Sequence, residues 1–461
     1  MKPKLALSMI VRDAAATLQA SLESVRGIVD EIVIADTGSA DATPTIAQQY
    51  GARVIHIPWE NDFAAARNRA LAEVQAEWVL SLDADEVLDP SAAALIPGLL
   101  NSDSANGYQV TIRNYVLSLE DRIWDRPAKL NDSPLASAKI YPAYVEHENV
   151  RLFRRDPRIF FVGRVHESVG SRIEESGLHL GRANFLIHHF GLAADAETRA
   201  RKNRSYRELG KMKVVEMPSN PQAHLELGLV ELDNFGNLEE ALACFERACQ
   251  LNPKLGVAWF FAGLAHFRLG QYRDSLRCLE QAAKHGQATS AVVETTGDAY
   301  YNLGEFPEAV RAYRQALQLA PESLSLESKL GLAVIRIGRI EEGLEKIRRA
   351  VQQQPGYAEL QDRLILSLVW LERTPEAAVA AEGKLRVVKT PTPNDFMRSA
   401  SLWSKLGNWA RATAVLHVGL QICPHDAVLR QALAELAAQQ GPQVHALAAV
   451  LAGDVSVKLK N

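Results

Sequence analysis

Hydrophobic and polar residues follow two different rhythms along this chain. Up to about residue 190, short apolar runs alternate with stretches of helical spacing. Leu5–Val11 is a strand-length apolar run, and Ala14–Val25 places Leu18, Leu22 and Val25 on one helical face. Glu31–Ala35, Arg53–Ile57 and Trp78–Leu82 read as further strands, with helices predicted over Ala42–Tyr50 and Phe63–Val74. Strands alternating with helices imply crossover units and a mostly parallel sheet. Ligands of such sheets bind beyond the carboxyl ends of the strands. Asp36, and Asp83 with Asp85, stand just past predicted strand ends.

The second half repeats. Gly228, Gly263, Gly297 and Gly331 are 35, 34 and 34 residues apart, and steps of 34 and 35 then reach Ile365 and Ala400. A second glycine follows most anchors (Gly236, Gly270, Gly304, Gly338 and Gly407). Small residues recur 12 or 13 positions after the anchors, at Ala241, Ser275, Ala309, Gly343, Ala377 and Ala412. Pro253, Pro321, Pro355 and Pro424 close several units. A period near 34 with small residues where paired helices meet, and proline where a helix must stop, is the signature of tetratricopeptide repeats. About six units are expected, the fifth and sixth degraded.

The predicted organisation is an α/β domain over 1–195, a charged linking helix over 196–220, the repeat array over 221–440 and a C-terminal cap or tail over 441–461. With 461 residues, more than one core is required. A formal net charge of −4 carries no basic excess of the kind nucleic-acid proteins show, so no nucleic-acid partner is expected. Cys244, Cys249, Cys278 and Cys423 have no metal-site spacing and are read as reduced, small apolar residues, which fits a reducing, cytoplasmic compartment. Arg12 and Asp13 break the first apolar run and no cleavage signature follows, so a secretory leader is not expected. No stretch approaches the roughly 20 apolar residues of a transmembrane helix.

The chemistry is expected at Leu82-Asp83-Ala84-Asp85-Glu86. Two carboxylates two residues apart at a strand end can hold a hard divalent cation that bridges two phosphates. Alone, such a pair is more often a solvated turn. Here it comes with other motifs in order, and together they resemble family 2 glycosyltransferases of the GT-A fold. Ser8–Asp13 is similar to that family's first strand and loop, and Asp36-Thr37-Gly38-Ser39-Ala40-Asp41 to its D-x-G-S-x-D segment. Ala66-Arg67-Asn68-Arg69-Ala70 resembles its A-x-R-N-x-A/G helix, and Asp83-Ala84-Asp85 its D-x-D motif. The whole chain resembles bacterial enzymes that fuse this domain to tetratricopeptide repeats, a group that includes peptide S-glycosyltransferases. Arg151–Arg154, Gly163–Glu167 and His188–Gly191 carry that narrower likeness.

The resemblance implies an α/β GT-A domain (nucleotide-diphospho-sugar transferase) followed by an all-α tetratricopeptide superhelix. It implies transfer from a nucleotide sugar, UDP-linked by expectation, with inversion and a manganese or magnesium ion. Val11, Arg12, Asp36, Arg67, Asp83, Ala84 and Asp85 would bind the nucleotide sugar, Asp36 through base or ribose and Arg67 through phosphate. Asp83, Asp85 and one of the pair His188/His189, assigned to His188, would hold the metal. The family's usual Glu-Asp base signature is absent; Glu167, which follows the strand-like run Ile159–Val162 beside His166, is assigned ahead of Glu146 and Glu148 as the base that deprotonates the acceptor, local pairing with Arg164 being its structural alternative. Asp41 reads as a helix cap, and Arg151 and Arg154 as facing either diphosphate or solvent. The repeats would recruit a protein or peptide acceptor or pair the chain into a homodimer. Three other readings compete: an acceptor that is a cell-envelope glycan such as a lipopolysaccharide core, a non-catalytic scaffold, and a nucleotidyltransferase. The intact Asp83/Asp85 pair argues against the scaffold, and the lack of a glycine-rich, lysine-bearing phosphate loop against the nucleotidyltransferase.

Overall fold

The structure, a computed structural model, describes residues 3–117, 122–123, 126–191 and 196–439; the tail expected over 441–461 lies outside them. It divides into two compact units, Met1–Asn252 and Pro253–Asn461. The first unit thus takes in the linking helix and the first helical pair along with the α/β domain.

The first unit opens with β1 (Leu5–Val11), α1 (Leu18–Ser24), β2 (Glu31–Asp36), α2 (Thr43–Gln49), β3 (Arg53–His56), α3 (Phe63–Glu73) and β4 (Trp78–Ser81). It continues with β5 (Glu86–Leu88), α4 (Ala92–Leu100), β6 (Gly107–Val116), and the short β7 (Arg122–Ile123), β8 (Arg126–Pro127) and β9 (Lys129–Leu130). Then come β10 (Ala143–Arg154), α5 (Gly170–Glu175), β11 (Leu180–His189), α6 (Ala196–Glu216), α7 (Pro221–Val230) and α8 (Leu238–Leu251). The main sheet runs β3-β2-β1-β4-β10-β6-β11-β5, with β9 beside β10. Strands β3, β2, β1 and β4 are parallel, and β10 joins β4 antiparallel. Alternate residues of β1 feed opposite faces. Leu5, Leu7, Met9 and Val11 pack with α1, α2 and α4, whereas Ala6 joins the core beneath α3 and α5. Burial on both faces explains why β1 is a continuous apolar run instead of an alternating one.

Two departures from the predicted elements have local causes. Helix α1 starts at Leu18 instead of Ala14. The amides of Asp13, Ala14 and Ala15 donate to Ser39, Thr43 and Asp41 side chains, which ties them into a loop. The apolar run Ile159–Val162 is not a strand and forms only a single bridge, Val162 to Ser168. Its partner is a side chain: Asn68 accepts from the Phe161 amide at 2.8 Å and donates to the Phe161 carbonyl at 2.9 Å.

In the second unit the helices are α9 (Gly256–Arg268), α10 (Tyr272–Lys284), α11 (Ser290–Asn302), α12 (Phe306–Leu319), α13 (Leu324–Arg336), α14 (Ile340–Gln353), α15 (Ala358–Trp370), α16 (Thr374–Val387), α17 (Pro393–Lys405), α18 (Trp409–Ile422) and α19 (Ala427–Gln439). Five antiparallel pairs and a closing helix follow the repeat period, and α7 with α8 makes a sixth pair in the first unit. Small residues sit where helices cross: a Cβ on Gly331 would come 2.7 Å from the Gly343 carbonyl oxygen. The first spacing, 35 instead of 34, has a visible cause. Residues Glu231–Phe235 form a π-turn between Gly228 and Gly236, which absorbs one extra residue. The four cysteines are free thiols. No helix among the described residues is long and apolar enough to cross a membrane.

The inter-helix turns need a left-handed residue, supplied by glycine in most units (Gly304, φ 79°; Gly338, φ 90°). In the fifth unit Glu372 takes that conformation, φ 59°. A side chain there costs about 1 kcal/mol relative to glycine. Glu372→Gly is therefore expected to stabilise the array by about 1 kcal/mol, read as a higher urea midpoint at unchanged slope. An unchanged or lower midpoint would contradict the reading of this turn.

Candidate active site

The site forms where β1, β2 and β4 end and β5 begins. Asp36, the last residue of β2, is 2 % exposed. Its Oδ1 accepts from the Ser39 amide at 3.0 Å and the Ser39 hydroxyl at 2.5 Å, and its Oδ2 faces His56 Nδ1 at 3.1 Å. Asp36 is thus buried with both oxygens engaged, one of them by the exposed His56 ring. Val11 is core, and its carbonyl is committed to the Thr37 amide and hydroxyl. It shapes the loop and presents no group to a ligand through that oxygen. Arg12 is exposed beside Asp13. Asp41 is not the cap of α2: the N-cap is Ala42, with no side-chain cap hydrogen bond, and Asp41, one residue earlier, accepts from the Thr43 and Ala15 amides.

Asp83–Glu86 is a tight turn closed by the Glu86 amide on the Asp83 carbonyl at 3.0 Å. Glu86 folds back, and its Oε2 accepts from the Asp83 amide at 2.8 Å. Ala84 occupies the turn and packs on the core. Asp83 is held between two buried arginines: Arg67 donates to Oδ1, and Arg151 reaches Oδ2 at 3.3 Å while also donating to Glu86 at 2.7 Å. Burial opposes the charged Asp83 carboxylate, but the two guanidinium groups outweigh it and hold its pKa far below the usual range. Burial instead prevails at Glu86 and raises its pKa.

Arg67 is neither a surface residue nor open to a phosphate. It is 6 % exposed and uses its fork on Asp83, on Ser81 and on Glu167 Oε1 at 2.5 Å. Helix α3 aims it there: Asp62 caps the helix by accepting from Ala65, and Asn68 pins the segment that leads to Glu167. The local partner foreseen for Glu167, Arg164, pairs with Glu216 instead. Arg151 likewise faces neither diphosphate nor solvent. The β10–β6 register shifts between Val150 and Leu152, and this bulge turns Arg151 toward the turn carboxylates. Arg154 lies over Trp78 and pairs with Asp103; Glu146 pairs with Arg113 and Lys129, and Glu148 with Arg182.

The histidine assignment needs correction. His188 is buried, with Nδ1 on the Tyr115 hydroxyl at 2.8 Å and Nε2 on Asp89 at 3.0 Å, so both ring nitrogens are occupied away from Asp85. Burial lowers its pKa against the pull of Asp89. The next residue points the other way, as strand alternation requires. His189 Nε2 stands 3.4 Å from Asp85 Oδ2, and its Nδ1 donates to Asn114 Oδ1 at 2.8 Å. Burial disfavours charge on both partners, but their mutual attraction wins, raising the His189 pKa and lowering that of Asp85. The register decides the match: β11 pairs β5 with His189 opposite Glu86 and His188 opposite Val87. Asn114, in register with His189 across β6, fixes the ring so that Nε2 faces Asp85.

Sequence reasoning chose His188 over His189, and it missed Asn68, Glu86 and Asn114 as site residues, along with Lys202 and Tyr206 of α6. The ring of Tyr206 sits 6.0 Å from Phe63 and 6.1 Å from His166, with Lys202 Nζ 5.7 Å above it. Lys202, Tyr206 and Lys213, spaced by 4 and 7, share one helical face; that spacing was the available signal.

Gly191 makes a close approach to this group. A Cβ there would overlap Asp85 Oδ2 and lie 2.6 Å from His189 Nε2. Gly191→Ala is expected to displace Asp85 and lower kcat/KM about tenfold, with little change in melting temperature, because neither carboxylate nor imidazole can reorganise without loss of alignment. A variant as active as wild type would show that this packing does not matter to the site.

An α/β domain with a mixed sheet, carboxylates at its strand ends and a histidine apposed to Asp85 is consistent with the GT-A class of glycosyltransferase domains. Known proteins agree. Residues 8–159 match Glycosyl transferase family 2, and residues 187–255 and 294–358 match the Tetratricopeptide repeat. The lipopolysaccharide core biosynthesis glycosyltransferase LpsC of Rhizobium meliloti is 30% identical over 206 residues, 43% of this chain and 68% of LpsC. The chain belongs to the family 2 glycosyltransferases and joins that domain to C-terminal tetratricopeptide repeats. A TPR repeat-containing protein of Synechococcus elongatus is 44% identical over 107 residues, 23% of this chain and 27% of that protein. The chain therefore spans about a quarter of that relative and two thirds of LpsC. YrrB, described as a TPR protein with an unusual peptide-binding site, covers 43% of this chain and 99% of its own at 17% identity and TM-score 0.34.

Proposed function

We propose that the protein transfers a sugar from a nucleotide sugar, with inversion, using a divalent metal held by Asp85 and His189. The observation that carries this reading is the apposition of Asp85 Oδ2 and His189 Nε2 at 3.4 Å, beside Asp83. A carboxylate oxygen and an imidazole nitrogen suit manganese, and also suit magnesium where phosphates complete the shell. Among the described residues no group of three or more such side chains could hold a metal ion. The remaining positions would thus fall to diphosphate oxygens and water. When bound, the ion would offset charge developing on the leaving diphosphate. Asp83, with both oxygens committed to arginines, serves as the rigid neighbour that orients the turn.

In this reading Asp36 would accept from the base or ribose, UDP being the expected nucleotide. Glu167, linked to Asp83 through the shared Arg67, would take the acceptor's proton. Two acceptor classes have support. The repeat array supports a protein or peptide, and the likeness to LpsC supports a cell-envelope saccharide. A donor panel (UDP-, GDP- and TDP-sugars) with and without manganese, followed by mass spectrometry of incubations with either acceptor class, tests the proposal. Metal-dependent release of nucleoside diphosphate with a mass gain on one acceptor supports it. A folded protein that binds no donor would sink it.

A further inference from the structure

The family match ends at residue 159, yet the carboxylate site does not. Loop 163–167, which carries Glu167, is tied to α6 at two points. Lys213 Nζ donates to the Val165 carbonyl at 2.9 Å, and Arg164 pairs with Glu216. Those ties fasten the carboxyl-terminal turns of α6 to the loop. Tyr206 wedges between Phe63 and His166, and Lys202, four residues earlier on the same face, lies above its ring.

The cations of the site differ in what they have left to offer. Arg67 is consumed by Asp83 and Glu167, and Arg151 by Asp83 and Glu86. Lys202 is exposed and has no carboxylate within ion-pair distance among the described residues. Burial of its stem opposes its charge, but Tyr206, Asp85 and Asp83 act on it more strongly and hold the ammonium firmly protonated. A strongly hydrated point charge on a flexible stem, near the proposed metal carboxylates, is suited to a phosphate oxygen.

We propose that α6 is an active-site element as well as a linker, with Lys202 as a ligand of the donor's diphosphate and Tyr206 as the residue that positions it. The inference rests on the nucleotide-sugar reading above. It makes the donor site incomplete in the family domain alone and places its last cation on the helix that leads into the repeats. Lys213 also pairs with Glu226 of α7 at 2.6 Å, so the first repeat braces the same helix.

The test is calorimetric titration of the full chain with UDP and with UMP in manganese, repeated with GDP and GMP, on wild type, Lys202→Ala and Lys202→Arg. Wild type is expected to prefer the diphosphate. Lys202→Ala should lose about tenfold of that preference, the worth of one charge-assisted contact, with monophosphate affinity unchanged. Lys202→Arg should restore most of it. Tyr206→Phe, which keeps the ring, should fall between wild type and Lys202→Ala. A Lys202→Ala protein that keeps the full diphosphate preference overturns the assignment while leaving the transferase reading intact. Wild type that binds no nucleotide overturns both.

Discussion

Replacing Asp85 by alanine is expected to abolish metal-dependent donor binding and to cut transfer roughly a thousandfold, since metal stabilisation of a leaving diphosphate supplies several kcal/mol. The fold should survive. Asp85 lies on a turn, and its side chain keeps about a quarter of its surface in solvent (27%), so little desolvation cost is stranded when it goes. His189 then loses its carboxylate partner but keeps Asn114. Calorimetry with manganese and the preferred donor, paired with a melting curve, separates the effects. Retained metal-dependent binding in a folded Asp85→Ala protein would remove the central claim about this site. His189→Ala should fall in the same direction and His188→Ala should not, which tests the correction made by the strand register.

Arg67→Ala should have the largest structural effect in the transferase domain. Arg67 is buried between Glu167, 12% exposed, and Asp83, 35% exposed, so its removal strips Glu167 of its buried partner and leaves Asp83 with Arg151. Breaking a fully buried pair by removing one partner costs about 3–5 kcal/mol, and the solvent reaching Asp83 brings the expected loss down to about 2–3 kcal/mol. Activity should be lost as well, because the same guanidinium sets the distance between the metal-side turn and the loop bearing Glu167. Arg67→Lys retains charge but cannot serve Asp83, Ser81 and Glu167 at once, so it is expected to recover stability only in part. Urea unfolding of the three proteins checks this. An Arg67→Ala protein within about 1 kcal/mol of wild type would mean that Glu167 is solvated once Arg67 is gone, and the reading of Arg67 as its necessary buried partner would fail.

Much of the first domain was legible. β1 was predicted residue for residue, and β2, β3, β4 and α3 to within one or two residues, because each is a local periodic signal bounded by its own breakers. The positions of Asp36, Asp83 and Asp85 at or just past strand ends were legible for the same reason, since each is fixed by where an apolar run stops. The roles of Arg67 and Arg151 were not. Whether an arginine reaches a phosphate or a buried carboxylate depends on what the fold brings opposite it, and Glu167 is 100 residues from Arg67.

By itself, then, the sequence determined the repeat architecture and the strand-helix order of the transferase domain. It also determined which strand ends carry carboxylates, since all of these follow from spacing within single segments. Tertiary structure decided everything that depends on two distant segments meeting. The register of β11 on β5 made His189, not the chemically identical His188, the partner of Asp85. A bulge at Arg151 and a cap on α3 turned two arginines inward onto Asp83. The docking of α6 on loop 163–167 set Tyr206 between Phe63 and His166 with Lys202 above its ring. A one-residue shift in strand pairing exchanges the faces of a sheet, and no local pattern in His188-His189 encodes which face wins.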